Sequence, residues 1–264
     1  MRITLRNKNN KDYWEKRWDS IETDEAMENP SKYPLKYTNE TLKKNEAKNP
    51  KILEAGCGAG RIVKYLEKNN YDVTGIDFID TAIKKIKISN PTFKVFTEDI
   101  KKTSFQNNQF DVILSFGLYH NFDLENVKSA LKETLRILNK NGLLCFSFRM
   151  DNIQNYILDN FIKKKKIKEE NLNFHKLNLT EQELINLINE MKLNILSKSY
   201  VVNMPLLFHF KIFRSNEQKE FNEHLGRKKG YSLNMIGKFL NWILTKFFSK
   251  YYSNVAVFIC KKNK

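Results

Sequence analysis

Between residues 51 and 148, short apolar runs alternate with amphipathic segments, and this alternation restricts the fold more than any other feature. It is typical of a parallel sheet that helices cover on both faces. The apolar runs predict strands over 51–55, 71–76, 93–97, 110–115 and 142–148. Two later runs, 193–202 and 254–260, predict a sixth and a seventh strand. We therefore expect an α/β fold.

The segments outside this alternation predict three parts of one domain. Residues 1–48 are expected to form an N-terminal helical cap, 49–150 the ligand-binding core, and 151–264 a C-terminal part. We expect 151–178, predicted as a helix followed by a loop, and 203–253 on the substrate side. The latter is a predicted helical insertion between strands six and seven, because some 50 residues are too many for a hairpin.

The chain is strongly basic. It has 46 Lys and Arg against 30 Asp and Glu, a net charge of +16, but only eight of the cations are Arg. Arginine predominates where proteins read phosphates or bases bidentately, so an excess of lysine fits a general compositional bias as well as an anionic partner. The charge is therefore compatible with nucleic acid, anionic lipid or an anionic substrate as the partner.

Cysteine usage and hydropathy favour a reducing compartment. Cys57, Cys145 and Cys260 are far apart and form no CxxC pair, which argues against a disulfide framework and a structural zinc site. The first residues lack the apolar stretch of a secretory signal, and no apolar run is long enough to span a bilayer. We expect a cytoplasmic protein, with peripheral contact at the inner membrane surface as the alternative.

A glycine-rich turn follows the first predicted strand. Glu54, Gly56, Gly58 and Gly60 spell ExGxGxG, and Asp77 ends the second strand, 17 residues after Gly60. Such a turn lets the backbone approach a nucleoside ligand closely, and an acid at the next strand end can accept both ribose hydroxyls. The alternating glycines differ from the GxGxxG of dinucleotide-binding domains.

At these residues the chain resembles the class I S-adenosylmethionine-dependent methyltransferases, in their small-molecule branch. ILEAGCGAGR is similar to their first motif, GIDFIDTAI to the second, and TEDIKKTSF with NNQFDVILSFGLYH to the third and fourth. The resemblance covers about residues 51–148. It implies a Rossmann-like, doubly wound, seven-stranded sheet with an antiparallel last strand.

The resemblance also implies a cofactor, S-adenosylmethionine, which leaves as S-adenosylhomocysteine, and it implies no metal. The glycine turn with Cys57 would line the methionine moiety, Asp77 would hold the ribose, and Phe78 would lie against the adenine. The full set of implied cofactor-binding residues is Glu54, Gly56, Cys57, Gly58, Gly60, Arg61, Asp77, Phe78, Asp99, Ile100 and Ser115.

Other residues are candidates for handling the acceptor. His120 and His175 are the candidate catalytic bases, since histidine titrates near neutral pH. Arg149 suits an anionic acceptor, and Phe174 precedes His175 in the same segment. Aromatic residues in the N-terminal part predict either a lid over the site or a helix packed on the sheet edge. They are Tyr13, Trp14, Trp18, Tyr33 and Tyr37.

An amphipathic segment near the C-terminus must bury its apolar face against another surface. Residues 231–252 place a broad apolar face opposite a narrow polar stripe. Packing on the sheet, a homodimer, or contact with a membrane surface would each cover it. Cations within and beside the segment would favour the membrane. They are Arg227, Lys228, Lys229, Lys238, Lys246 and Lys250.

These features together predict an enzyme that methylates an oxygen or nitrogen atom of a small metabolite or a glycan precursor of a surface polysaccharide. RNA methylation is the alternative suggested by the charge, and a lipid-linked acceptor is the one suggested by residues 231–252. A catalytically silent scaffold is the non-enzyme alternative, which the intact glycine turn, Asp77 and Asp99 oppose.

Overall fold

The computed structural model describes residues 1–20, 27, 29–162, 172–222 and 230–262. The strands are β1 (Arg2–Arg6), β2 (Ile52–Ala55), β3 (Val73–Asp77), β4 (Lys94–Thr97), β5 (Phe110–Ser115), β6 (Leu138–Arg149), β7 (Asn173–Asn178), β8 (Leu193–Val201) and β9 (Val255–Lys262). The helices are α1 (Asn10–Asp19), α2 (Leu35–Lys44), α3 (Arg61–Lys68), α4 (Asp80–Ser89), α5 (Leu124–Ile137), α6 (Ile153–Ile157), α7 (Glu181–Glu190) and α8 (Met235–Phe248).

Seven strands form one sheet in the order β4-β3-β2-β5-β6-β9-β8. Each pair from β4 to β6 is parallel, whereas β9 runs antiparallel to both β6 and β8. The prediction of seven strands with an antiparallel last strand is therefore confirmed. The order reverses between β2 and β5, and in an open sheet of this kind ligands bind beside the carboxyl ends of the strands at that reversal.

Alternate residues of the buried strands face two different helical layers. Leu53 of β2 packs in a cluster with Leu131 of α5 and Leu184 of α7. Its neighbour Ile52 packs with Val63 of α3 in a second cluster, which also contains residues of α2 and α4. Because successive side chains of a strand point to opposite faces, both faces of the sheet are covered and the sheet is doubly wound.

A second, two-stranded sheet pairs β1 with β7 antiparallel, and the sequence did not predict it. The prediction of a helix and loop over 151–178 was therefore wrong at its end: α6 and a π-helical turn, Leu158–Ile162, precede a strand, and 163–171 lie outside the described residues. The alternation in β1 is inverted, since apolar Ile3 and Leu5 are exposed. The more buried positions are polar, so the usual apolar signal of a half-buried strand is missing.

The insertion between β8 and β9 is helical, as predicted. Its described residues form three short 3-10 turns, Leu206–His209, Lys211–Phe213 and Asn216–Gln218, and α8. The Asn234 side chain caps α8 by accepting a hydrogen bond from the Gly237 backbone N–H at 2.9 Å. Arg227, Lys228 and Lys229 lie outside the described residues. Of the described helices, none is long and apolar enough to cross a membrane.

Candidate functional site

The turn between β2 and α3 is shaped by its glycines. Gly56, Gly58 and Gly60 all have positive φ angles, of 73°, 52° and 73°. A side chain would be strained at each of these positions. At Gly58 a Cβ atom would also lie 2.5 Å from the Trp18 ring, so the ring packs directly on the backbone. The turn thus requires glycine both for its conformation and for the close approach of Trp18.

The Asp77 carboxylate ties the end of β3 to this turn. One carboxylate oxygen, Oδ2, accepts a hydrogen bond from the Gly58 N–H at 2.8 Å, and the other accepts one from the Ile79 N–H at 2.9 Å. Burial raises the pKa of Asp77 above its ordinary value, while these backbone donors oppose the rise. Since a carboxylate offers about four acceptor sites, Asp77 can still accept a hydrogen bond from a ribose hydroxyl.

Glu54 lies beneath the turn as a buried carboxyl group. Its Oε2 accepts a hydrogen bond from the Val63 N–H at 3.0 Å, close to the beginning of α3. Burial raises the pKa of Glu54 to about 8, the Val63 hydrogen bond and Arg61 lower it, and the neighbouring Asp77 raises it further. Glu54 therefore carries a proton at neutral pH.

A cavity of about 780 Å³ opens at this end of the sheet, and we call it the sheet-edge cavity. Its volume lies within the range typical of small-molecule sites. Most of the predicted cofactor residues line it: Glu54, Gly56, Cys57, Gly58, Arg61, Asp77, Phe78, Asp99 and Ile100. Gly60 and Ser115 are not among the described lining residues. Gly60 caps α3, and Ser115 is fully buried within the sheet.

At one side of the cavity, Phe78 and Asp99 follow β3 and β4. The Phe78 ring is 51% exposed, and the Lys11 ammonium lies 5.5 Å from its centroid. Asp99 accepts a hydrogen bond from the Lys101 N–H at 2.9 Å and lies 3.6 Å from the Lys101 ammonium. An exposed aromatic face beside a carboxylate can bind a planar base by stacking and by hydrogen bonds to its edge.

Helix α1 packs on the glycine turn through Trp18. Trp14 and Trp18 line the cavity and stack on each other, with ring centroids 6.0 Å apart. The Lys85 ammonium of α4 donates hydrogen bonds to the backbone oxygens of Trp18 at 2.8 Å and Asp19 at 2.7 Å. The end of α1 is therefore held against α4, with its tryptophans over the turn.

Tyr33, another residue of the cavity lining, forms a polar link with Ser147. The Tyr33 hydroxyl lies 2.9 Å from Ser147 Oγ, which also accepts a hydrogen bond from the Gly117 N–H at 2.9 Å. Burial raises the pKa of Tyr33 to about 12, so its hydroxyl keeps its proton at neutral pH. The sequence indicated Tyr33 only as one of several aromatic residues, because its partners come from distant strands.

The same region contains two lining residues that the sequence did not single out, Asn203 and Tyr231. Both belong to the insertion 203–253, which was expected on the substrate side. Their signal was weak, because neither residue sits in a recognisable motif. Tyr33 and Phe116 line the same cavity.

Neither candidate histidine is among the described residues that line the cavity. His120 is buried, with its ring edge towards Phe148, and burial together with Lys176 and Arg149 lowers its pKa well below the ordinary value. Burial and the same cations lower the pKa of His175 to about 3. Both rings are therefore neutral at pH 7. Within the described ranges, no group of three or more His, Cys, Asp or Glu side chains is arranged for a metal ion.

Arg149 belongs to a charged cluster beside β1 and β7 instead of the cavity lining. Its guanidinium donates two hydrogen bonds to the Asp159 carboxylate, at 2.8 and 2.9 Å, and another to Asn178. Arg2 donates to the same carboxylate at 2.7 Å and to Asp151 at 2.8 Å. The cluster accounts for the polar inner face of β1, because two aspartates neutralise two partly buried arginines.

Tyr13 and Phe174 lie at the same small sheet, outside the described cavity lining. The Arg6 guanidinium lies 3.8 Å from the centroid of the Tyr13 ring, which also faces His175. Phe174 is partly buried against the core. Tyr13, Trp14, Arg149 and Phe174 were the candidates for binding the acceptor, and of these four Trp14 alone is among the described lining residues.

Comparison with known proteins agrees with this geometry. Residues 53–146 match the family described as methyltransferase domain. A malonyl-[acyl-carrier protein] O-methyltransferase of Enterobacter lignolyticus is 27% identical over 97 residues, which are 37% of this chain and 38% of that protein. An uncharacterized protein of Methanocaldococcus jannaschii is 31% identical over 144 residues, 52% of this chain and 53% of that one. The chain thus spans about half or less of these curated relatives.

The fold extends the likeness over nearly the whole chain. A crystal structure described as a SAM-dependent methyltransferase of Methanosarcina mazei superposes with a TM-score of 0.57 at 18% identity. The match covers 88% of this chain and 98% of that one. The matched domain contains β2 to β6, the glycine turn and Asp77, and the sheet order is the one that the sequence resemblance implied. Residues 53–146 therefore form a methyltransferase domain, and the chain has the fold of the class I S-adenosylmethionine-dependent methyltransferases.

Proposed function

We propose that this protein transfers a methyl group from S-adenosylmethionine to an oxygen or nitrogen atom of a small metabolite or glycan precursor. The observation that carries the proposal is the junction of Asp77 with the glycine turn at the wall of the sheet-edge cavity. A carboxylate that can accept a further hydrogen bond lies beside a turn whose glycines leave the backbone accessible. This arrangement fits a ribose joined to an extended polar chain.

The remaining lining residues fit the other parts of this cofactor. Asp99 and the Ile100 N–H would bind the adenine edge, with Phe78 against its face. Glu54, Gly56 and Arg61 would surround the methionine moiety, where Glu54 in its ionised form would balance the ammonium and Arg61 the carboxylate. Because burial favours the protonated form of Glu54, a nearby cation would release its proton.

The cofactor supplies an electrophilic methyl group on a sulfonium. The task of this chain is then to hold the acceptor in line with that group and to exclude water, which supplies much of the rate in such a displacement. Trp14 and Trp18 cover the glycine turn on one side. The Tyr33 hydroxyl, which is hydrogen-bonded to Ser147, would donate a hydrogen bond to an acceptor bound beside it in the cavity.

Two observations support the proposed acceptor, one from the cavity lining and one from the relatives. Asn10, Asn121 and Asn203 line the cavity along with the Tyr33 hydroxyl, so its wall can bind hydroxyl or amide groups. The malonyl-[acyl-carrier protein] O-methyltransferases named among the relatives share the core domain, and their name gives oxygen as the acceptor atom. This supports oxygen as one of the atoms that this protein methylates.

The proposal can be tested with S-adenosylmethionine labelled in the methyl group. The protein is incubated with a cell extract that has been separated into water-soluble small molecules, RNA and lipids. We expect label in the small-molecule fraction with the wild type and none with Asp77→Ala. Asp72→Ala is a matched control, because Asp72 lies on the surface, where it pairs with Lys94. Label that appears only in the RNA or the lipid fraction would contradict the proposed acceptor class.

A further inference from the structure

Helix α8 presents large apolar side chains to solvent. We call the members that share one side of the helix the α8 outer face, and they are between 49% and 86% exposed: Met235, Ile236, Phe239, Trp242 and Phe247. Phe239 and Trp242 stack on each other, with ring centroids 6.2 Å apart. An exposed apolar patch of this kind marks a site of interaction with another molecule or with a membrane.

The opposite side of α8 is fixed to the rest of the chain. At Gly237 a Cβ atom would lie 2.9 Å from the Phe213 carbonyl oxygen, so the helix backbone packs directly on the preceding turn. The Asn234 side chain donates a hydrogen bond to the Ile212 carbonyl at 2.7 Å, which ties the start of the helix to the same turn. The outer face is therefore held outward by packing on its other side.

Lysines lie on α8 and directly after it. Residues 230–252 contain three Lys and no Asp or Glu. Lys238 and Lys246 are exposed on α8 itself, and the Lys246 ammonium lies 4.7 Å from the centroid of the Trp242 ring. Lys250 follows the helix and pairs with Glu181. Cations thus border the apolar side chains along the helix.

This charge pattern decides between the partners that could cover the face. A second copy of the chain would bring a net charge of +16 against +16, with lysines facing lysines in a symmetric contact. An anionic bilayer surface attracts the lysines to its headgroups and accepts the aromatic and aliphatic side chains at the acyl boundary. We propose that the α8 outer face docks on an anionic membrane surface, with the helix lying in its plane.

Docking there would also bring the cavity close to the membrane. Tyr231, which lines the sheet-edge cavity, precedes Met235 by only four residues. The surface contact is nevertheless independent of methyl transfer, because none of the members of the α8 outer face is among the described lining residues. It can be measured without cofactor or acceptor.

The first test is co-sedimentation with vesicles, either of phosphatidylcholine alone or of phosphatidylcholine mixed with phosphatidylglycerol. We expect the wild type to pellet with the mixed vesicles, and Phe239→Asp/Trp242→Asp to lose at least tenfold in partitioning. Ile88→Asp/Phe161→Asp is the control, since it adds the same charge at exposed apolar positions elsewhere. Circular dichroism of every variant verifies that the fold is kept.

The second test removes charge only. Lys238→Gln/Lys246→Gln should weaken binding to the mixed vesicles by about fivefold per lysine and leave binding to neutral vesicles unchanged. Lys43→Gln/Lys48→Gln removes two exposed lysines from another surface and should have little effect. Wild type that stays in the supernatant with both vesicle types would overturn the proposal. So would a dimer in analytical ultracentrifugation that Phe239→Asp/Trp242→Asp dissociates, if no vesicle binding accompanies it.

Discussion

The Gly58 backbone N–H donates a hydrogen bond to the Asp77 carboxylate at 2.8 Å, and this contact joins the two loops that form the wall of the sheet-edge cavity. The Trp18 ring packs on the other side of Gly58. One residue without a side chain is thus held between an acid that can bind a ribose and an aromatic ring that covers the turn.

Gly58→Ala should lower both the affinity for the cofactor and the stability of the folded protein. The residue would adopt a φ of 52° at a cost of about 1–2 kcal/mol, and its methyl group would push Trp18 away from the turn. Calorimetric titration with S-adenosylmethionine and thermal unfolding measure the two effects.

Gly230→Ala is the control for strain alone. Gly230 has a φ of 86°, and an added Cβ would meet only the flexible end of Lys32. We expect a similar loss of stability and unchanged cofactor affinity. Equal affinity of Gly58→Ala and wild type would show that Trp18 and the turn do not contact the cofactor.

The stability of the protein should decrease with pH because of Glu54. The pKa of Glu54 is about 8 in the folded chain and about 4.5 in the unfolded chain, so between these values only the folded state holds the proton. The free energy of unfolding then falls as pH rises through this window, by at most about 1.4 kcal/mol per pH unit.

Glu54→Gln removes this titration and keeps an oxygen for the Val63 N–H. Urea unfolding of the ligand-free protein at several pH values between 5 and 8 should show a less negative slope for the variant than for the wild type. Parallel slopes would mean that Glu54 is already ionised at neutral pH.

Tyr33→Phe should slow methyl transfer without changing cofactor affinity. The hydroxyl is hydrogen-bonded to Ser147 at the cavity wall, and under the proposed function its loss would remove one hydrogen bond to the acceptor, worth about 0.5–1.5 kcal/mol. Steady-state kinetics, once an acceptor is known, should therefore show a decrease of about threefold to tenfold in kcat/KM for the acceptor. A loss of affinity for the cofactor instead would place Tyr33 at the cofactor.

Arg149→Ala should destabilise the protein by about 1–3 kcal/mol and leave cofactor affinity unchanged. The substitution leaves the partly buried Asp159 with Arg2 as its remaining partner. Lys94→Ala, which breaks an exposed pair with Asp72, should cost less than about 1 kcal/mol. If Arg149→Ala keeps full stability in chemical denaturation but abolishes activity, the arginine serves the acceptor after all.

The core strands, the glycine turn and Asp77 could be predicted from local sequence. The runs from Ile52 to Phe148 are apolar because both faces of the sheet are buried, and the glycine turn and Asp77 are set by backbone geometry that few other residues satisfy. Such constraints act over a few neighbouring residues, so they are visible in the order of amino acids.

The two-stranded sheet of β1 and β7 and the Tyr33–Ser147 contact could not be predicted from local sequence. Arg2 faces inward only because Asp151 and Asp159, about 150 residues away, are there to receive it. Tyr33 and Ser147 likewise meet across 114 positions. His120 and Arg149 were expected at the acceptor because each lies near the end of a strand, but tertiary contacts turn them towards the core and towards Asp159.

Binding of S-adenosylmethionine to the wild type and to Asp77→Ala, measured by isothermal titration calorimetry, tests the central claim most directly. We expect binding by the wild type and by Asp72→Ala, and an affinity at least tenfold lower for Asp77→Ala, because hydrogen bonds to a charged acceptor are worth about 1.5–3 kcal/mol. A folded wild-type protein that binds no S-adenosylmethionine, or an Asp77→Ala variant that binds it equally well, would contradict the cofactor site described above.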